Sequence, residues 1–137
     1  MICIAYLSSA PAPPTNVDLE AILASSQRNN AAHGVTGMLC HYDGSYLQFL
    51  EGEAEDVDAV FGVIAKDPRH QGVIRLYRRE VDERLFGEWS MALVRPNAVS
   101  PELRPFCQGL REVESTATPA HAELIAPFVD SFRTWIR

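Results

Sequence analysis

The stretch 34–52, GVTGMLCHYDGSYLQFLEG, leaves the chain little choice of architecture. Val35–Tyr42 is rich in β-formers, Asp43-Gly44 is a tight-turn pair, and Ser45–Leu50 returns, so the stretch predicts a β-hairpin. On the return strand Tyr46, Gln48 and Leu50 take one face, and Leu47, Phe49 and Glu51 the other. Both faces are mostly apolar, the pattern of a central strand covered on both sides. Gln48 breaks it. A buried amide must find partners for one acceptor oxygen and two donor hydrogens. Either another side chain of this protein supplies them or a bound molecule does.

The remaining elements arrange themselves around that hairpin. Met1–Leu7, MICIAYL, sets Ile2, Ile4 and Tyr6 against Cys3, Ala5 and Leu7, which predicts a second interior strand ending near Tyr6. The prolines of Ser8–Pro14 predict a loop. Thr15 or Asn16 then caps a helix running to about Ala32, with Gly34 as its stop. Leu19, Ile22, Leu23 and Ser26 share a face of it, and Ile22, Ser26 and Asn30 follow at four-residue spacing. That polar extension is either a stripe running out into solvent or an amide offered to something polar in an apolar cleft. A second helix spans about Ala54–Lys66, with Val57, Val60, Phe61 and Ile64 as its apolar stripe, and Asp67-Pro68 ends it. Arg69 and His70 fall in the loop that follows.

Val73–Val81, with Arg75, Arg78 and Arg79 interleaved, predicts a strand with one wet face near a sheet edge. Trp89–Val94 predicts a last strand on which Trp89, Met91 and Leu93 share a face. Two amphipathic helices close the chain, near Pro101–Val113 and Pro119–Ile136. They must cover the far face of the sheet, a second copy of the chain, or an output partner. The expected fold is α+β: a ferredoxin-like βαββαβ core with an extra strand, and C-terminal helices on the other sheet face. Residues 1–95 form the core in this reading and 96–137 the helical extension.

At 137 residues, 47% hydrophobic and 22% charged, the chain suits one ordinary globular core. A net charge of −6 argues against non-specific binding to nucleic acid or anionic membrane. No apolar run approaches the ~20 residues of a membrane span, and no signal peptide is apparent. Cys3, Cys40 and Cys107 are odd in number and far apart, which suits reduced thiols and a cytoplasmic location. The histidines His33, His41, His70 and His121 show no metal-ligand spacing. Phosphate loop, dinucleotide fingerprint and nucleophile elbow are all missing. An acylphosphatase-like hydrolase would need an arginine near the start of the first helix, and Pro11–Leu19 has none. Composition and motifs alone therefore stop at an α+β domain with polar groups facing an apolar cleft.

Six motifs in order make the chain recognisable: Y-x-S-x-A at Tyr6–Ala10, S-x-x-x-N at Ser26–Asn30, V-T-G-M-L at Val35–Leu39, S-Y-L-Q-F-L-E-G at Ser45–Gly52, D-x-R-H at Asp67–His70 and R-x-F-x-x-W-x-M at Arg84–Met91. Together they resemble the BLUF family, blue-light sensors that use FAD, over about residues 1–95. The resemblance implies a flavin ring between the two long helices, sandwiched by Ile22 and Ile64. It implies that Asn30 bonds the pyrimidine edge, with Ser26 in the pocket. It places Gln48 beside flavin N5 and O4, and Tyr6 as the phenol bonded to Gln48. Trp89 and Met91 match a switchable pair on the last strand. Arg69 and His70 match positions near the ribityl-phosphate side. The function it implies is a photoreceptor with non-covalent FAD that relays a light-driven hydrogen-bond switch to an unidentified partner protein, working as a homodimer. The alternative is a ferredoxin-like interaction module, with or without flavin, that has no photochemistry.

Overall fold

In the computed structural model, which describes residues 1–136, the expected order of elements appears in a five-stranded sheet. β1 (Ile2–Ser9) leads to α1 (Asn16–His33), then β2 (Thr36–Tyr42) and β3 (Ser45–Gly52) form the hairpin. α2 (Ala54–Lys66), β4 (Gln71–Glu80) and β5 (Ala92–Val94) follow, and α3 (Leu103–Thr116), α4 (Pro119–Ser131) and α5 (Arg133–Ile136) close the chain. The strand order is β4-β1-β3-β2-β5, with all pairs antiparallel except β2 and β5. The first four strands have the ferredoxin-like arrangement, β4 is an edge strand as its arginines predict, and β5 is the addition.

Local chemistry sets these elements. Asp43 and Gly44, at φ 52° and 80°, make the two-residue turn that joins β2 to β3. Thr15 and Asp18 form a reciprocal capping box at the start of α1. Gly34, at φ 65°, ends that helix in the left-handed region. At Gly37 a Cβ would lie 1.9 Å from the Phe49 carbonyl oxygen, so only glycine lets β2 pass there.

The sheet separates two interiors. On one side Ile2, Ile4, Tyr6, Leu39, Tyr46 and Leu50 meet Leu19 and Ile22 of α1 and Val57 and Val60 of α2. On the other Cys3, Ala5, Leu7, Met38, Leu47 and Phe49 meet Phe106 and Leu110 of α3, Ile125 and Phe128 of α4, and Phe132. Of the three surfaces the tail helices could have covered, they cover the far face of the sheet. Gly109 of α3 is what permits the close approach, since a Cβ there would meet the ring tips of Phe49 and Phe86 at 3.0 Å.

Three expectations shift. β1 continues through Ser8 and Ser9, which pair with Tyr46 and Ser45. The second tail helix breaks at Phe132 into α4 and the short α5. The last strand is only Ala92–Val94 rather than Trp89–Val94. Its approach is fixed by Glu51, buried at the end of β3, whose carboxylate accepts from the backbone of Leu85 at 2.9 Å and Phe86 at 2.6 Å. The segment after Phe86 then bends rather than extends, and the strict alternation of sides is lost. Trp89 and Met91 consequently do not share a face. Met91 joins the α1–α2 interior, while Trp89 packs, half-buried, against the α3 side.

Candidate functional site

Tyr6 on β1 and Gln48 on β3 are direct partners across an antiparallel ladder, so their side chains leave the same face of the sheet. Both are buried in the α1–α2 interior, at 0% and 1% exposure. The Tyr6 hydroxyl donates to Gln48 Oε1. Gln48 Nε2 donates in turn to Met91 Sδ at 3.4 Å. Three side chains from separate parts of the chain thus form one hydrogen-bonded line.

Burial, aided by the Asp67 carboxylate and the Tyr46 phenol, pushes the Tyr6 hydroxyl well above the ordinary tyrosine range. Tyr6 therefore keeps its proton and acts as donor, which leaves the Gln48 NH2 for the Met91 sulfur. A thioether is a weak acceptor. Turning the amide over would exchange its oxygen and NH2 at constant volume and constant charge. Few side chains can reverse a buried hydrogen-bond pattern so cheaply.

An open cleft lies between α1 and α2. Ile22, Val60 and Ile64 supply apolar walls, and Ser26, Asn30, Arg69 and His70 supply polar groups. The series Ile22, Ser26, Asn30 therefore lines the cleft as one helix face. Asn30 is 1% exposed and donates through Nδ2 to the Ser90 carbonyl at 2.6 Å. Its amide has a second hydrogen and an acceptor oxygen to offer a ligand.

Arg69 and His70 enter the cleft from the loop after α2. The Arg69 guanidinium is held by Asp67, with Nη2–Oδ2 at 2.6 Å, and by Ser25 Oγ at 3.1 Å. The hydrogen bonds from Arg69 hold the Asp67 carboxyl below its usual range. His70 Nδ1 lies 2.7 Å from Ser8 Oγ, and its ring stands edge-on to Tyr6 at 6.1 Å. Burial lowers the His70 pKa against the opposing pull of Asp67, so the ring is neutral near pH 7.

The structure thus brings Tyr6, Gln48 and Met91 together in the layer between sheet and helices, and Ile22, Ser26, Asn30, Ile64, Arg69 and His70 around the adjoining cleft. It leaves Trp89 outside both groups. Ser8, Ser25 and Gln27 were not singled out from the sequence. Gln27 Nε2 donates to the Met91 carbonyl at 3.0 Å. The signal for it was present, because Gln27 lies three residues before Asn30, within reach of the same helix face.

A flat heteroaromatic ring fits this set. Aliphatic walls suit its faces, buried amides suit a polar edge, and an arginine suits a phosphate at its end. A flavin nucleotide has these three parts. Among the described residues no cluster of His, Cys, Asp and Glu could hold a metal ion, and no helix is long and apolar enough to cross a membrane.

Comparison with known proteins points the same way. The family model for BLUF, described as sensors of blue-light using FAD, matches residues 1–92. The photoactivated adenylate cyclase subunit beta of Euglena gracilis is 35% identical over 89 residues, which is 64% of this chain and 10% of that protein. The chain thus spans about a tenth of the length of this curated relative. The photo-activated state of BlsA superposes with a TM-score of 0.65 at 30% identity, covering 82% of this chain and 79% of that one. The dark state of BlrB, a BLUF protein, matches at TM-score 0.69 and 24% identity over 97% of this chain and 95% of that one, a likeness of fold.

Proposed function

The chain belongs to the BLUF family of flavin-binding light sensors, and from that premise we propose that it is a blue-light photoreceptor holding FAD non-covalently in the α1–α2 cleft. The observation that carries this reading is the buried line from the Tyr6 hydroxyl through the Gln48 amide to the Met91 sulfur. It lies against a cleft whose walls and polar groups suit a flavin. In this reading Ile22 and Ile64 sandwich the ring and Asn30 bonds its polar edge. Ser26 lies beside it, and Arg69 and His70 face the ribityl phosphate.

Bound flavin supplies the blue absorption and a transient acceptor for an electron and a proton. The chain's own residues supply the memory of that event. Tyr6 holds its proton on Gln48 Oε1 in the dark. Displacement of that proton frees the amide, which settles with its donor and acceptor ends exchanged. Met91 Sδ then loses its NH2 donor. The segment from Trp89 to Val94 is released from one of its ties and passes the change to α3–α5.

Residues 1–95 act as the sensor core and 96–137 as the extension through which a partner protein reads its state. The Euglena gracilis relative, a photoactivated adenylate cyclase subunit, is a much longer protein, which supports a sensor acting on an effector. We read this chain as a sensor without turnover of its own, cytoplasmic and homodimeric, the last to be checked by sedimentation.

Purified protein, in the dark and after blue light, tests the function. Flavin bands that shift reversibly to the red, with FAD released on denaturation, support it. Flavin bands that ignore light would mean a flavin-binding module without photochemistry, and a protein that takes up no flavin would overturn the reading entirely.

A further inference from the structure

Three consecutive carbonyls, at the point where the chain enters β5, are each held by a different donor. The Trp89 carbonyl accepts from the Gly37 backbone at 3.0 Å, the Ser90 carbonyl from Asn30 Nδ2 at 2.6 Å, and the Met91 carbonyl from Gln27 Nε2 at 3.0 Å. None of these is a bond of the β2–β5 ladder, which pairs only Ala92, Leu93 and Val94. Two of the three donors are side-chain amides on α1, one turn apart. A side-chain donor can release a carbonyl by rotating a single side chain, whereas a ladder bond needs the strand to move.

Met91 is held at both ends of the residue. Its sulfur takes the Gln48 amide and its carbonyl takes the Gln27 amide. Gln48 is the group that turns over in the switch. Gln27 is itself exposed, three residues from Asn30 and outside the Tyr6–Gln48–Met91 line, and its amide reaches inward to the Met91 carbonyl. We propose that Gln27 is a positioning residue for the light response: its bond to the Met91 carbonyl keeps Met91 against Gln48 and Trp89 on the opposite face. This rests on the photoreceptor reading above. When Gln48 turns and the sulfur loses its donor, the Gln27 bond is the remaining side-chain tie on Met91. It pulls the residue back as the dark state returns.

The donor is what matters, and that allows a clean test. Gln27→Glu keeps the shape and offers no amide hydrogen to a carbonyl. Gln27→Lys changes the group and keeps a donor. In a Trp135→Phe background Trp89 is the only tryptophan, since the chain has two. Gln27→Glu is expected to bind flavin as the unsubstituted protein does and to show the same red shift. Its return to the dark state should be slower by about five- to tenfold, the factor carried by one ordinary hydrogen bond. Its Trp89 emission in the dark should move towards the value seen after light, and Gln27→Lys should restore both. Unchanged recovery and Trp89 emission in Gln27→Glu would overturn the proposal, as would a lysine variant indistinguishable from the glutamate one.

The Trp89 measurement is also made on flavin-free protein, where an altered emission in Gln27→Glu supports the positioning role and an unaltered one overturns it. A failure of the photoreceptor reading shows separately, as an unsubstituted protein whose flavin bands do not move.

Discussion

Gln48 and Phe49 are neighbours on β3, and they open onto two different interiors. Gln48 faces α1 and α2 among Tyr6, Tyr46 and Met91, beside buried Asn30, Ser8 and His70. Phe49 faces α3 among aromatic rings: Phe86 at 5.1 Å and Phe106 at 5.7 Å, with Phe132 4.8 Å beyond Phe106. One interior is an apolar core that carries a line of directional bonds, which can be exchanged without changing volume. The other is held by shape, and close-packed rings tolerate little change. A sensor needs both, because a reversible hydrogen-bond pattern is useful only beside a rigid surface that registers its displacement.

The largest effect is expected from breaking the rigid side. Phe106→Ala removes a ring that is 0% exposed and touches both Phe49 and Phe132. Denaturant melts should show a loss of about 3–5 kcal/mol. A loss under 1 kcal/mol would mean that α3 can collapse onto the sheet and that the contrast between the two interiors is overstated.

Breaking the switchable side should cost less stability and more function. Gln48→Leu keeps the volume and leaves the Tyr6 hydroxyl without its acceptor. The expected cost is about 1–3 kcal/mol, with flavin retained and the light-induced shift gone. An unaltered shift would show that the amide is not the switching element.

The smallest effect sharpens the comparison through pH. Burial lowers the His70 pKa from 6.5. The unfolded chain therefore binds that proton more readily than the folded one. The contribution of neutral His70 is fully present above about pH 6.5 and is lost as pH falls through the lowered folded value. On the other face, burial raises the Glu51 carboxyl, despite the Leu85 and Phe86 amides that lower it. Its contribution is present below pH 4.5 and is lost as pH rises through the raised value. Thermal midpoints from pH 8 to 5 should therefore fall more steeply for the unsubstituted protein than for His70→Gln. Equal slopes would remove His70 from the titrating groups that matter; His41, also lowered by burial, is common to both proteins.

Much of this was legible in the sequence, for definite reasons. The hairpin, α1 and α2 carry strong local signals: Asp43-Gly44, the Thr15 cap and the Val57–Ile64 stripe each agree with the tertiary environment. Tyr6, Gln48, Ile22, Ser26 and Asn30 could be named from alternation, helical spacing and family resemblance. The entry to β5 could not be read. Alternation assigned Trp89 and Met91 to one face, but the bend there is set by Glu51, more than thirty residues earlier in the chain. Helical spacing one turn before Asn30 points to Gln27, but its partner is a backbone carbonyl, which carries no sequence signature.

The account stands most directly on the Tyr6–Gln48 bond. The measurement that tests it is the dark-minus-light absorption difference of Tyr6→Phe beside the unsubstituted protein at equal flavin content. The account predicts that Tyr6→Phe holds its flavin and shows no red shift. A reversible red shift in that variant, equal to that of the unsubstituted protein, would contradict it.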